Sequence, residues 1–352
     1  MNDLNKNIMK NLSTILILFL VLTFNLSGQD VVEADEKPAF SFAGSVDTYY
    51  RANLNTTNDN ENGGTIAPAT SFANSPGFAL GMANLIGSYD GEKAGFVADL
   101  VFGPRGSEAV FGSVDASGDP SVRSIVNQMY AYVNVSESVT VSLGNFNTFL
   151  GYEVISPTGN YNYSTSYMFS YGPFSHTGVK VDISLGNGFS FMQGVFNETD
   201  ATDFNPDGTY TAGSQIGYEG GSGGAWVNFL YDEDYFQTDL TTGFDLADNI
   251  YLGFNGTYST AFYGAAAYVQ VATSDAFGLG LRAEYFKDDD GVALIADESV
   301  FDVTLSANYK VGNLTIIPEF RVDLASEDVF MDNELVPQSS LTSFLIAAVY
   351  SF

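Results

Sequence analysis

The stretch Ser299 to Lys310 reads SVFDVTLSANYK and alternates between apolar and polar residues. Its odd positions from Phe301 to Tyr309 are apolar, and its even positions from Asp302 to Lys310 are polar or charged. Successive side chains of a β-strand point to opposite faces, so the pattern predicts a strand with one apolar and one polar face. A soluble β-sandwich gives the same signal, so alternation alone leaves the fold open.

The number of such segments narrows the choice. Each is about as long as the 9–11 residues that a tilted strand needs to cross a membrane. The sixteen candidates lie near 39–51, 77–89, 94–103, 125–135, 139–147, 176–185, 189–197, 212–218, 224–232, 235–246, 250–260, 263–273, 276–286, 299–310, 314–325 and 340–352.

The connections between these segments alternate in length. Tight turns are predicted at 89–93, 135–138, 185–188 and 246–249, whereas the connections 52–76, 104–124, 148–175, 198–211, 287–298 and 326–339 are long. Short turns on one rim and long loops on the other are typical of an outer-membrane barrel. Two connections on the long-loop rim, near 233 and 261, are short, so the strand count could differ by two. We therefore predict an all-β fold, an antiparallel up-and-down transmembrane β-barrel of about 16 strands at 39–352.

The chain ends on an alternating segment, with Phe344, Ile346, Ala348 and Tyr350 preceding the terminal Phe352. This segment resembles the C-terminal strand that bacterial barrel-assembly machinery recognises. Left exposed, an apolar edge of this kind promotes aggregation. Pairing with the first strand would remove the edge, so we expect the barrel to close there.

The N-terminus has the order of a secretory signal peptide. Lys6 and Lys10 precede an apolar run from 11 to 26, and small residues follow up to Gly28. We predict a signal peptide at 1–28 and a short periplasmic segment at 29–38. Residues 29–352 hold ten of the twelve Lys and Arg and 41 of the 42 Asp and Glu, a formal charge of −31. Nucleic-acid binding is excluded by this charge, because phosphate contacts need clustered cations.

The connection from Thr148 to Ser175 is unusually aromatic for a loop. If sixteen strands enclose an aqueous lumen, its rings can be buried by folding inward and narrowing that lumen. The alternative is a surface loop packed on its own rings at the barrel mouth. The predicted constriction residues are Phe149, Tyr152, Glu153, Tyr161, Tyr163, Tyr167, Phe169, Phe174 and His176.

The segment from Gly144 to Ile183 resembles a family of β-barrel porins of Gram-negative outer membranes (OprB-like). The matching residues are Gly144, Phe146, Gly151-Tyr152-Glu153, Asn162-Tyr163-Ser164, Ser166, Pro173-Phe174 and His176-Thr177-Gly178-Val179. Asn145 and Thr165 stand where the family has basic residues. The resemblance implies a porin, and these two departures argue against carrying over an anion preference.

Carboxylates outnumber cations on the predicted inner faces. The predicted pore-lining residues are Asp47, Arg51, Asp99, Lys180, Asp182, Asp239, Arg282, Glu284, Asp302, Glu319, Arg321 and Asp323. Rings of carboxylates favour cations, so mild cation selectivity is one expectation. The other is that these charges pair with each other, for example Glu319 with Arg321 and Glu284 with Arg282, and stabilise the wall.

Catalytic and metal chemistry have little support. The chain has one histidine, His176, and no cysteine, which excludes multi-His and thiolate metal sites. The acidic segments 200–208 and 287–291 lack the spacing of a calcium-binding EF-hand. No metal or cofactor is predicted, and we expect His176 to tether the returning loop rather than to catalyse a reaction.

Three functions remain open from the sequence. The first is a porin for passive diffusion of small hydrophilic solutes, with outer-membrane lipids, lipopolysaccharide and the assembly machinery as partners and a homotrimer as one possible assembly. The second is a non-conducting structural or adhesive barrel with acidic surface loops. The third is an outer-membrane hydrolase that uses His176.

Overall fold

The computed structural model describes residues 39–58, 72–110, 125–202, 205, 208–293, 296–334 and 336–352. The predicted signal peptide and the segment 29–38 lie outside these residues. The strands are Ala39–Asn53 (β1), Gly77–Asp90 (β2), Ala94–Phe102 (β3), Val126–Ser136 (β4), Val139–Asn147 (β5), Ser175–Gly186 (β6), Phe189–Phe196 (β7), Thr211–Gly220 (β8), Gly223–Tyr231 (β9), Phe236–Ala247 (β10), Ile250–Ser259 (β11), Phe262–Ser274 (β12), Phe277–Asp288 (β13), Glu298–Val311 (β14), Leu314–Ala325 (β15), Phe330–Met331 (β16), Pro337–Gln338 (β17) and Ser340–Ser351 (β18).

Sixteen of these strands form one closed antiparallel barrel in which sequence neighbours pair, and β18 pairs with β1. The predicted number of strands is confirmed, and every predicted strand end lies within two residues of the observed one. The short strands β16 and β17 form a separate hairpin in the connection between β15 and β18. Closure is completed by Gly44 and Phe352, whose backbones exchange two hydrogen bonds of 3.1 and 3.0 Å.

The described helical segments are short and lie in connections. Helix α1 spans Pro104–Ala109, helix α2 spans Tyr167–Tyr171, and a 3-10 turn spans Pro157–Gly159. In the ranges that the structure describes, no helix is long and apolar enough to cross a membrane.

The barrel wall has its polarity reversed relative to a soluble protein. On β14 the apolar Phe301 and Leu305 are 44% and 48% exposed on the outer face, whereas the alternating Asp302 and Thr304 are fully buried on the inner face. Exposed apolar side chains are more stable in contact with hydrocarbon than with water, so the outer face is suited to the interior of a lipid bilayer. A closed barrel also gives each strand a hydrogen-bonding partner on both sides, which a bilayer requires. The wall is therefore that of a transmembrane barrel.

The two rims differ as the sequence predicts. Turns of two residues join β4 to β5, β6 to β7, β8 to β9, β10 to β11, β12 to β13 and β14 to β15, all on one rim. The opposite rim carries the longer connections, including 148–174 between β5 and β6. We call these the turn side and the loop side.

Candidate functional site

The connection 148–174, which we call the aromatic loop, lies inside the barrel. The Tyr163 hydroxyl donates a hydrogen bond to Asp47 on β1, and the Tyr152 ring stacks on Tyr268 of β12 with ring centroids 4.0 Å apart. Tyr163 and Tyr167 are fully buried. The predicted inward fold of the aromatic loop is confirmed, and the alternative of a surface loop is wrong.

Two wall carboxylates hold the loop by its backbone. Glu319 on β15 accepts hydrogen bonds from the N–H groups of Tyr163 and Ser164, at 2.8 and 3.1 Å. Glu284 on β13 accepts from the N–H groups of Tyr167 and Met168, at 2.7 and 2.8 Å. These two N–H groups belong to the first turn of α2, where backbone donors lack helical partners. Carboxyl oxygens of the wall therefore accept hydrogen bonds from the loop, including two from donors that lack helical partners.

Two wall guanidinium groups hold the loop by its carbonyls. Arg282 donates to the carbonyl oxygens of Ser164 and Thr165, at 2.7 and 3.1 Å. Arg321 donates to the same Thr165 carbonyl at 2.7 Å. The Thr165 carbonyl therefore accepts hydrogen bonds from two wall arginines.

The same arginines form a buried ion-pair network. Arg282 pairs with Glu153 of the loop at 2.8 Å and with Asp302 at 3.3 Å. Arg321 pairs with Asp302 at 2.7 Å and with Asp323 at 2.8 Å. The expected pairing of wall charges therefore occurs, but through these partners and not through Glu319 with Arg321 or Glu284 with Arg282. We call these seven side chains the anchor cluster: Glu153, Arg282, Glu284, Asp302, Glu319, Arg321 and Asp323.

Burial decides what the anchor cluster can do. Arg282, Glu284 and Asp302 are fully buried, and the other members are at most 6% exposed. A buried charge is tolerated when it is paired and hydrogen-bonded, and removing one partner of such a pair is strongly destabilising. These groups fasten the loop and are not available to a solute in the lumen.

The other predicted pore-lining charges divide into two groups. Asp47, Arg51, Asp99 and Asp239 lie on the inner face but are 2–3% exposed. Asp239, for instance, accepts hydrogen bonds from the Gly151 N–H and from three wall side chains, Asn228, Asn255 and Thr257. Only Lys180 and Asp182 are partly exposed, with side-chain exposures of 25% and 41%, and they pair with each other at 2.9 Å.

The remaining predicted constriction residues lie around His176 and α2. His176 is fully buried, its Nε2 is 2.9 Å from Thr148 Oγ1, and its ring packs against Phe149 and Phe196. This contact joins the first residue of the loop to the strand that follows it. Phe169 and Phe174 pack edge to face, with centroids 5.3 Å apart, and Phe72 packs against both.

Inward-facing glycines of the wall contact the aromatic side chains of the loop. These glycines were not identified from the sequence. A Cβ at Gly253 would stand 2.6 Å from Cζ of Tyr152, and one at Gly213 would stand 2.6 Å from Cζ of Phe149. Gly278 and Gly280 on β13 lie under Tyr161 in the same way. The signal available in the sequence was glycine at the inward position of an alternating strand, where close approach of another group is one standard reason for the residue.

The side of the lumen along β8 to β12 is open. A cavity of about 450 Å³, which we call the lumen cavity, lies between the loop and strands β8 to β12. It is lined by rings and amides, among them Tyr161, Trp226, Tyr251, Gln215 and Gln270. A turn-side vestibule of about 720 Å³ shares Tyr161 with it and includes Asp248, Asp275 and Lys310.

A second vestibule of about 630 Å³ lies on the loop side and includes Glu108, Glu198, Asp200 and Asp232. Burial raises the pKa of Asp200 to about 7, although its carboxylate accepts hydrogen bonds from the Phe174 and Ser175 N–H groups. Burial likewise raises the pKa of Glu108, and Arg105 opposes this shift. Within the described residues, no group of three His, Cys, Asp or Glu side chains could hold a metal ion.

Residues 39–352 match the family described as "Putative beta-barrel porin-2, OmpL-like". The chain belongs to this porin family. The match confirms the resemblance to porins and, with the closed barrel, indicates a Gram-negative outer-membrane protein. No curated protein matches the sequence significantly.

Solved porin structures share the fold of this porin. The high-pH structure of Pseudomonas putida OprB superposes with a TM-score of 0.61 at 10% identity, over 89% of this chain and 94% of that one. An anion-selective porin from Comamonas acidovorans gives 0.59 at 10% identity, over 90% and 100%. The trimer form of Vibrio cholerae OmpT gives 0.55 at 14% identity, over 90% and 100%. At these identities the likeness establishes the fold alone.

Proposed function

We propose that the chain is an outer-membrane porin that lets small hydrophilic solutes diffuse down their concentration gradients, and that it is not an enzyme. The observation that carries this proposal is the space beside the aromatic loop, where the lumen cavity and the turn-side vestibule adjoin inside a closed sixteen-strand barrel. A barrel of eight strands would be filled by its own side chains, whereas sixteen strands leave room for water.

The aromatic loop is proposed to set the size limit of the pore. Its backbone is held by Glu284, Glu319, Arg282 and Arg321, so its position depends little on thermal motion of single side chains. The residues proposed to narrow the lumen are those predicted from the sequence, from Phe149 to His176. Of these, Phe149, Tyr152, Glu153 and Tyr161 line the lumen cavity.

We also propose that the pore mildly prefers cations. This proposal does not depend on the number of charged residues in the barrel wall. Ten of the twelve predicted pore-lining charges are buried, so they contribute little contact with ions. The support comes from the vestibules, where carboxylates exceed cations on the loop side and on the turn side. Such carboxylates raise the local concentration of cations.

The test is single-channel recording on purified, refolded protein in planar bilayers. Stepwise openings in KCl support the pore, and the reversal potential across a salt gradient gives its ion preference. Removal of residues 155–161 from the aromatic loop should raise the conductance. A folded barrel that stays silent in both forms contradicts the porin proposal and favours the structural or adhesive barrel.

The partners proposed for this porin are outer-membrane lipids and lipopolysaccharide around the apolar outer face, and the barrel-assembly machinery at the C-terminal strand β18. A homotrimer is proposed because the Vibrio cholerae OmpT structure is described as a trimer form. The mass of the detergent-solubilised protein, determined by light scattering with detergent subtraction, distinguishes a trimer from a monomer.

A further inference from the structure

The rings of the lumen cavity lie across glycines of the wall. A Cβ at Gly217 would stand 2.6 Å from Cδ1 of Trp226, and a Cβ at Gly224 would stand 2.5 Å from its Cη2. The Tyr251 hydroxyl lies at Gly243 and the Tyr161 ring lies at Gly280, each so close that a Cβ on the glycine would overlap the side chain. Each of these side chains therefore contacts the wall and also lines the cavity.

The face of an aromatic ring carries negative electrostatic potential, whereas its edge is positive. Rings that border the cavity with a face therefore attract positive charge without any carboxylate. Among the described residues that line this cavity, none is Lys or Arg. Its one carboxylate, Glu153, is committed to Arg282 and to the Ser166 N–H, at 2.8 and 2.7 Å. The cavity thus offers aromatic rings, amides and threonine hydroxyls as its lining groups.

The vestibules supply the charge that the lumen cavity lacks. Asp248 and Asp275 outnumber Lys310 in the adjoining turn-side vestibule. The loop-side vestibule holds Glu198 and Asp232, together with Glu108 and Asp200, whose pKa values burial raises. A cation is therefore concentrated at both mouths before it meets the rings. A neutral ring-shaped solute could also lie on these side chains, but the acidic vestibules would not enrich it.

We infer that the lumen cavity selects small organic ammonium ions over alkali metal ions, an inference that rests on the proposed porin function. Alkali metal ions hold their hydration shells strongly, and aromatic ring faces replace those shells poorly. Alkylammonium ions are weakly hydrated, and aromatic faces are the usual protein partners of quaternary ammonium groups. The rings therefore discriminate between organic and alkali cations, whereas the vestibules only favour cations over anions.

The experiment measures the reversal potential with KCl on one side of the bilayer and tetramethylammonium chloride on the other. The expected permeability of tetramethylammonium relative to potassium exceeds the ratio of their mobilities in water by about threefold, as weak ring–cation attraction implies. Millimolar tetramethylammonium should also reduce the potassium current in a saturable manner.

Trp226→Leu and Tyr251→Leu remove single ring faces and should each lower the permeability ratio toward the mobility ratio. The matched control is Phe229→Leu, because Phe229 lies on the same strand as Trp226 but is 40% exposed on the outer face. It should leave the ratio unchanged. Recordings are made only on variants whose circular dichroism spectrum matches that of the parent. If only one of the two ring variants folds, that variant is compared with Phe229→Leu.

A pore that conducts KCl but gives a ratio at or below the mobility ratio overturns the inference and leaves the porin proposal intact. An equal loss in Trp226→Leu and Phe229→Leu also overturns it, since the effect would then not come from the lumen. A barrel without any conductance contradicts the porin proposal itself.

Discussion

The inner wall of this barrel has two sides that use opposite chemistry. On β13 to β15, arginines and carboxylates are buried beneath the aromatic loop and bind its backbone. On β8 to β12, the wall presents rings and amides to an open cavity. The first side holds the loop in place, and the second side borders the space that a solute would cross.

A charged side chain that points into the barrel is therefore not always accessible to a solute. Asp302 and Arg321 project inward, yet both are covered by the loop and paired with each other. A count of inward charges would assign the selectivity of the pore to the side that is closed. The wall groups that a solute contacts are instead those of β8 to β12, where aromatic rings and amides line the lumen cavity.

The largest effect is expected from breaking the charged side at Arg282. Arg282→Met leaves Glu153 and Asp302 without one of their cations and removes two hydrogen bonds to the loop carbonyls. Loss of one partner of a buried pair costs about 3–5 kcal/mol. The loop should therefore detach, and single-channel recordings should show a higher and noisier conductance.

The matched control for this variant is Lys310→Met. Lys310 is an inner-face cation of β14 that lies in the turn-side vestibule, away from the anchor cluster. Lys310→Met removes the same charge without removing a hydrogen bond to the loop, so the recordings should stay as quiet as those of the parent. Quiet traces from Arg282→Met would show that the loop does not depend on this arginine.

An intermediate effect is expected on the ring-lined side, at Gly280. Gly280→Ala places a Cβ where the Tyr161 ring now lies, so the ring must move toward the lumen cavity. Overpacking of this kind costs about 1–3 kcal/mol. The barrel should still fold, with a lower conductance than the parent, which is the opposite direction to Arg282→Met.

Gly87→Ala tests whether this fall comes from the ring. Nothing lies within 4 Å of a Cβ at Gly87, which faces outward on β2. Its conductance should equal that of the parent. If both alanine variants lower the conductance equally, the cause is a loss of backbone freedom in the strands and not the displacement of Tyr161.

The fold could be predicted from the sequence because it depends on local alternation. Phe301 and Asp302 reveal their faces by position alone, and every strand repeats the pattern. The turns and loops then order the strands without further information. Even the inward fold of the aromatic loop follows from composition, since rings on a long connection need a dry place.

The partners inside the lumen could not be predicted in the same way. Glu319 binds the backbone of Tyr163, 156 positions away in the sequence, and a backbone N–H has no residue type to recognise. Glu319 and Arg321 were expected to pair as neighbours on one strand, but the Arg321 guanidinium pairs with Asp323 on its own strand and with Asp302 on the adjacent strand. Which charges remain open to solutes depends on these long-range contacts and is visible only in the structure.

The smallest effect is expected at the end of the loop, where neither chemistry of the inner wall applies. The Asp200 carboxylate accepts hydrogen bonds from the Phe174 and Ser175 N–H groups, at 2.8 Å each, and faces Asp232 and Tyr235 across the loop-side vestibule. Burial raises its pKa from 3.8 to about 7, so the folded state binds a proton between about pH 4 and pH 7 that the unfolded state has already released. Stability should therefore fall as the pH rises through this window and stay lower above it.

In detergent, the melting temperature of the parent should drop between pH 5 and pH 8 by more than that of Asp200→Asn, which cannot titrate. Asp275→Asn, at an exposed tight turn, should keep the drop of the parent, and an unchanged drop in Asp200→Asn would show that another group carries the pH dependence.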